Sequence, residues 1–331
     1  MKAFFIIIIS LSFSLIAFGQ ADSLGFTNKA EAKNLMVNGS KEGRWVEFRD
    51  TIGDFTLDTN ATFYCLTIYN SGKPFGLRRT YYKSGEIYVI TPFIDGKKNG
   101  ISKKYYKTGE LEFEAPFVDD KETGLEKKYY KSGNILAETP YLEGKKSGLG
   151  KSFFFTGKLM AEIPYFANKR NGVLKEYYES GKIKSEYPYK DDSRNGVSKD
   201  YYDSGAIKAE IPYSDGKKNG VEKEYYESGK LKAEIPYTNG KENGMEKAYY
   251  ERGNLQATPL HYSNGILTDS IITTYDESGK IEKEMLLTNG KPNGIVKDYY
   301  PTGKLKCETH YDEKGHVSEM KKYDENGNEI K

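Results

Sequence analysis

One phrase recurs between Gly76 and Tyr250 at a fixed step of 24 residues. The copy from Gly220 to Asn243 reads GVEKEYYESGKLKAEIPYTNGKEN. Its opening glycine returns at Gly76, Gly100, Gly124, Gly148, Gly172, Gly196, Gly220 and Gly244. An aromatic pair travels with it from Tyr81-Tyr82 through Phe153-Phe154 to Tyr249-Tyr250, and a proline from Pro92 to Pro236. A period of this length marks a repeat array, whose core lies between neighbouring copies rather than around one centre. That overrides the two-domain expectation for 331 residues.

The composition agrees with strands and turns, for 34 glycines and 29 tyrosines are placed among few helix formers. The 50 basic and 48 acidic residues leave a net charge of +2, which argues against a nucleic-acid partner. Two cysteines, Cys65 and Cys307, do not make a disulfide framework.

Residues 1–19 read as an export signal: Lys2, an apolar run from Phe4 to Phe18, and small residues before Gln20. A membrane anchor is the competing reading, but the run carries Ser10, Ser12 and Ser14 and is short for a span of about 20 apolar residues. No cysteine follows it for lipid attachment. Export to the periplasm, the outer-membrane surface or the medium is therefore expected. Residues 20–37 form a polar leader or N-terminal cap, and residues 38–331 the array, regular over 76–250 and degenerate at both ends, as terminal repeats are expected to be.

Within a copy, Val221 to Tyr226 and Leu231 to Tyr237 are strand signals, closed by Glu227-Ser228-Gly229 and Thr238-Asn239-Gly240. Three-residue loops ending in a left-handed glycine suit both turns, so each copy is one β-hairpin and the copies form an antiparallel meander. Closing Tyr226 on Lys230 predicts Tyr225 opposite Leu231, Lys223 opposite Ala233 and Val221 opposite Ile235. One face then carries Val221, Lys223, Tyr225, Leu231, Ala233, Ile235 and Tyr237, and the other Glu222, Glu224, Tyr226, Lys230, Lys232 and Glu234. Pro236 fits where its nitrogen need not donate.

The paired aromatics, the Ser-Gly turn with Gly-Lys, and the second Asn-Gly resemble the MORN repeat, best in Lys223 to Lys230 and Gly240 to Gly244. They look closest to the variant found in bacterial antitoxin-like proteins of the YwqK type. The resemblance runs from about Asn38 to the C-terminal end. It implies an elongated hairpin array used as a scaffold or binding surface. Lipid contact, self-association and toxin neutralisation are the roles it brings; an export signal departs from a cytosolic antitoxin.

The candidate site is a row repeated along one face. A cation stands third after each opening glycine, at Arg79, Lys103, Lys127, Lys151, Lys175, Lys199, Lys223 and Lys247, and again at Lys297. An aromatic ring stands two places on, at Tyr81, Tyr105, Tyr129, Phe153, Tyr177, Tyr201, Tyr225 and Tyr249. With strands about 4.8 Å apart the row repeats every ~10 Å and offers a ladder to a glycan, lipid headgroups or a protein strand. The same alternation arises when lysine stems simply lie over rings with their heads in water. A single-layered sheet leaves an apolar stripe exposed, which marks an interaction face, and dimerisation through it is expected.

Chemistry has little to stand on. His261, His310 and His316 lack metal-ligand spacing, Asp119-Asp120 and Asp191-Asp192 are turn acids, and no histidine accompanies the turn serines to activate them. A non-enzymatic scaffold without cofactors or metal is the expectation, binding a protein or itself. Toxin masking, or peripheral lipid or glycan binding, are the alternatives.

Overall fold

The computed structural model describes residues 25–51, 53–288 and 290–330; the expected export signal lies outside the described residues. Among these, the helical content is one 3-10 turn at Lys29–Glu31, and the rest is strand and turn. Two compact units divide the chain, residues 1–145 and 146–331.

Each regular copy is an antiparallel hairpin. In the reference copy the strands are Gly220–Tyr225 and Leu231–Thr238. The Tyr226 N–H donates to the Lys230 carbonyl and the Gly229 N–H to the Tyr226 carbonyl, both at 2.9 Å. Gly229 has φ +84°, the left-handed residue that such a loop requires. Leu231–Thr238 then pairs onward with Lys241–Glu242 and, through Ala233↔Ala248 and Glu234↔Lys247, with Gly244–Ala248. Successive copies therefore join as a meander.

The register differs from the sequence expectation beyond its first pair. Tyr225 does face Leu231, but a β-bulge follows, setting Glu224 opposite Ala233, Lys223 opposite Glu234, Glu222 opposite Ile235 and Val221 opposite Pro236. Lys232 is the extra residue, and its Nζ lies 3.0 Å from Glu224 Oε2. The same shift occurs at Tyr105, Tyr129, Phe153, Tyr177 and Tyr201. Because side chains alternate, one extra residue exchanges the two faces of the second strand. Val221, Lys223, Tyr225 and Leu231 thus share their face with Glu234 and Pro236. Ala233, Ile235 and Tyr237 lie with Glu222 and Glu224 instead. The gain is electrostatic, since opposite charges now stand directly across the ladder at Lys223 and Glu234.

The second turn is also tighter than expected. Thr238 pairs with Lys241, so Asn239 and Gly240 alone form the loop, with φ +51° and +84°. Two positive φ values are the signature of a type I′ turn, whose twist matches the strands. These turns stack: the Gly240 N–H donates to the Lys218 carbonyl of the preceding copy. Where the glycine is replaced by Asp120, Asn168 or Asp192, the side chain returns a bond to the N–H of Lys98, Lys146 or Arg170. That bond offsets the cost of a left-handed non-glycine residue. It also holds the Asp192 carboxyl below its ordinary value, the Arg170 backbone N–H being the main cause.

Pro236 lies where the outward ladder opens, its carbonyl accepting from the Asn243 N–H at 2.9 Å. Its counterpart Pro212 packs on the next opening glycine: a Cβ at Gly220, whose φ is +121°, would sit 2.9 Å from the Pro212 Cγ. Glycine and proline recur together because each needs the other's shape.

In residues 1–145 the leader crosses the first strands. Phe26 packs with Leu66 and Tyr81 as a buried cluster, supported by Ala32, Val46, Tyr64, Ile68 and Ile87. Glu31 pairs with Arg44, and Asn28 caps the 3-10 turn through the Ala30 N–H.

Candidate binding face

The face carrying Val221, Lys223 and Tyr225 is a polar ladder. In residues 146–331, Tyr177, Tyr201, Tyr225 and Tyr249 donate to Glu162, Glu186, Glu210 and Glu234 of the preceding copy, at 2.8, 2.9, 3.0 and 3.3 Å. Lysines flank the same glutamates: Lys175–Glu186 at 3.5 Å, Lys199–Glu210 at 3.6 Å and Lys247–Glu234 at 3.7 Å. Lys223 stands between Glu210 and Glu234, and Lys151 opposite Glu162. Phe153, at a tyrosine position, has no hydroxyl to donate. The pattern returns at Lys297, between Glu284 and Glu308, and at Tyr299, 2.6 Å from Glu284.

In residues 1–145 the ladder begins with Tyr129, which donates to Glu114 at 2.7 Å, and Lys127, between Glu114 and Glu138. Toward the N-terminal end it changes character. Lys103 stands between Glu114 and Ile90, and Arg79 between Ile90 and Leu66. Tyr81 is stacked on Tyr64, with centroids 5.0 Å apart and rings 12° from parallel.

The ladder tyrosines are hard to ionise. Burial, then the hydrogen bond to glutamate, pushes Tyr129, Tyr177, Tyr201 and Tyr299 up to about 12. Tyr225 and Tyr249 are raised for the same reasons, burial first. The lysine row is interleaved with carboxylates, so its charge is largely balanced from within. The expected rows of cations and rings do share one face. The glutamates between them escaped the sequence reading, although Glu recurs two places before each proline from Pro116 to Pro236 and so signals it.

A second row lies on this face. The residue after each opening glycine from Gly100 onward is aliphatic or methionine and exposed: Ile101, Leu125, Leu149, Val173, Val197, Val221 and Met245, with Val221 46% exposed, whereas Leu77 after Gly76 is buried. The second tyrosine of each pair is structural. Tyr106, Tyr178, Tyr202 and Tyr226 donate to the backbone carbonyls of Tyr129, Tyr201, Tyr225 and Tyr249, at 2.7–2.8 Å, strapping one copy to the next. Among the described residues no group of three or more His, Cys, Asp or Glu side chains gathers where it could hold a metal ion.

Bulged antiparallel hairpins that recur at a 24-residue step and join as a meander make a hairpin-repeat protein of the all-β class. Seven of its segments match the MORN repeat variant: residues 98–119, 122–143, 146–167, 170–191, 194–215, 218–239 and 292–313. These segments make up a little under half of the chain. No curated protein matches it. Solved structures with local likeness include the Photorhabdus luminescens Tc holotoxin pore with TccC3 carrying D651A. It is 12% identical over 86% of this chain and 16% of the other, with a TM-score of 0.18. The TcdB2-TccC3 crystal structure gives 12%, 86%, 17% and 0.18, and TcdB2-TccC3-Cdc42 gives 10%, 86%, 17% and 0.17. The chain spans about a sixth of those chains, and at such TM-scores the likeness carries no argument.

Proposed function

We propose that this chain is an exported, non-enzymatic scaffold that takes a protein partner, or a second copy of itself, on the face of Val221 and its counterparts. One observation carries the reading: each copy opened by a glycine from Gly100 to Gly244 places an exposed aliphatic or methionine side chain next to that glycine, on the face of Val221. Repeated apolar exposure of this kind marks an association surface. Balanced ion pairs beside it favour a protein over an anionic polymer, because the lysines already face glutamates. A masked toxin, as in antitoxin-like relatives of the YwqK type, is one form such a partner takes.

Light scattering on the chain from Gln20 onward tests the reading. Self-association that vanishes in the triple variant Val173→Lys, Val197→Lys, Val221→Lys, with circular dichroism unchanged, is the expected result. Association indifferent to these substitutions sinks it. Binding of the unsubstituted chain to phosphatidylglycerol vesicles, undiminished by the three lysines, points to the lipid reading instead.

A further inference from the structure

The carboxylate position of the ladder is occupied in turn by Leu66, Ile90, Glu114, Glu138, Glu162, Glu186, Glu210 and Glu234. Two of the eight are apolar, and they are treated differently. Leu66 is fully buried, with Phe26 of the leader lying against it and against Tyr81. Ile90 instead floors an open hollow of about 460 Å³, lined also by Leu77, Pro92, Ile101, Lys103 and Tyr105.

The electrostatics at Ile90 are those of the ladder with its anion missing. Ile90 faces Arg79 on one strand and Lys103 on the other, where Glu210 faces Lys199 and Lys223. The Arg79 guanidinium does not line the hollow: it packs against Gly25 of the leader, where a Cβ would sit 1.9 Å from its Nη1. Among the described residues Lys103 has no ion pair within 4.0 Å, and the Tyr105 hydroxyl has none of the glutamate bonds of Tyr129 or Tyr177. A lysine and a phenol thus flank an apolar floor, and the neighbouring position shows that an aromatic side chain fits over such a floor.

We propose that this hollow is a docking site for a segment of a partner protein that presents an aromatic side chain beside a carboxylate. The ring takes the place over Ile90 that Phe26 takes over Leu66. The carboxylate accepts from Tyr105 and pairs with Lys103, taking from outside the place that a glutamate holds in the ladder. A protein segment suits the place because the hollow opens onto Ile94 and Ile101, both about half exposed, along which a chain continues. The inference rests on reading this face as the partner-binding one and names the chemistry it selects.

The probe is the blocked peptide acetyl-Ala-Phe-Glu-Ala-amide, followed by NMR of tyrosine-labelled chain from Gln20 onward, with Tyr105 assigned through Tyr105→Phe. The Glu peptide is expected to bind about tenfold more tightly than its Gln counterpart, the difference shrinking with salt. Ile90→Glu supplies the carboxylate internally and abolishes binding. Lys103→Gln, which leaves the floor intact, brings the two peptides to near-equal affinity and keeps the test valid if Ile90→Glu does not fold. Equal binding of both peptides to the unsubstituted chain, or binding unaffected by Ile90→Glu, overturns the proposal. So does binding that appears only after removal of residues 20–24 (Gln-Ala-Asp-Ser-Leu), since the chain's own leader is then the occupant. Loss of peptide binding with association through Val173, Val197 and Val221 intact overturns this site alone; loss of that association with peptide selectivity retained overturns only the wider reading.

Discussion

Tyr81 and Tyr225 hold the same place in the repeat and are secured in opposite ways. Tyr81 is buried with Phe26 and Leu66 and stacked on Tyr64. Tyr225 is half-buried and donates to Glu210 in a line of alternating charges. A single position, Leu66 in one case and Glu210 in the other, decides between them. The comparison teaches that one backbone plan supports two kinds of cohesion. At Leu66, which faces Val46 and Arg79, the leader supplies an apolar cover, whereas a glutamate satisfies its neighbours and leaves the face open.

The sharpest way to break that comparison is to remove the cover. Phe26→Ala is expected to cost about 3–5 kcal/mol, because the ring is almost wholly buried and nothing else fills its place. Urea unfolding measures it, and a loss under about 1 kcal/mol would show that Leu66 and Tyr81 need no cover. Next in size is the contact between copies. Gly220→Ala places a methyl 2.9 Å from Pro212 at φ +121°, and about 2–3 kcal/mol is expected. Gly229→Ala meets nothing within 4 Å and carries only the cost of a left-handed residue, about 1 kcal/mol. Equal losses at the two glycines would remove the packing argument and leave backbone conformation alone.

Much of this architecture was legible in the chain. The 24-residue step fixes the hairpin, and the Glu227-Ser228-Gly229 loop closes as its residues dictate. The bulge at Lys232 was not, because alternation counted outward from a turn carries no mark of an extra residue. The charges contained a clue: Lys223 and Glu234 recur in antiphase, and facing them across the ladder requires the shift. The Asn239-Gly240 pair likewise signals a two-residue turn more strongly than a three-residue one. Of the site, the rows of lysine and tyrosine were readable and their partners were not. The hollow at Ile90 lay further out of reach, for it depends on Phe26 covering Leu66 while Ile90 stays open, a fact of the folded chain.

The smallest expected effect tests the polar half of the comparison. Glu186→Gln keeps the shape of the side chain but takes the anion from Tyr201 and Lys175, and at neutral pH about 0.5 kcal/mol is expected, the pair being partly exposed. The tyrosine reports the change more clearly than stability does. Tyr201 is raised from an ordinary 10.0 to about 12, by burial first and by Glu186 second. A phenol harder to ionise when folded stabilises the fold fully below the unfolded value near 10. That contribution falls as pH climbs from there to about 12, since the unfolded chain releases its proton first. In the variant, phenolate absorbance should show Tyr201 ionising at a lower pH, still above 10 because burial remains, and the alkaline decline should flatten. An unmoved titration would mean that burial alone holds the proton. The carboxylate row would then be no substitute for an apolar cover, and the two regions would differ in charge without differing in what holds their rings.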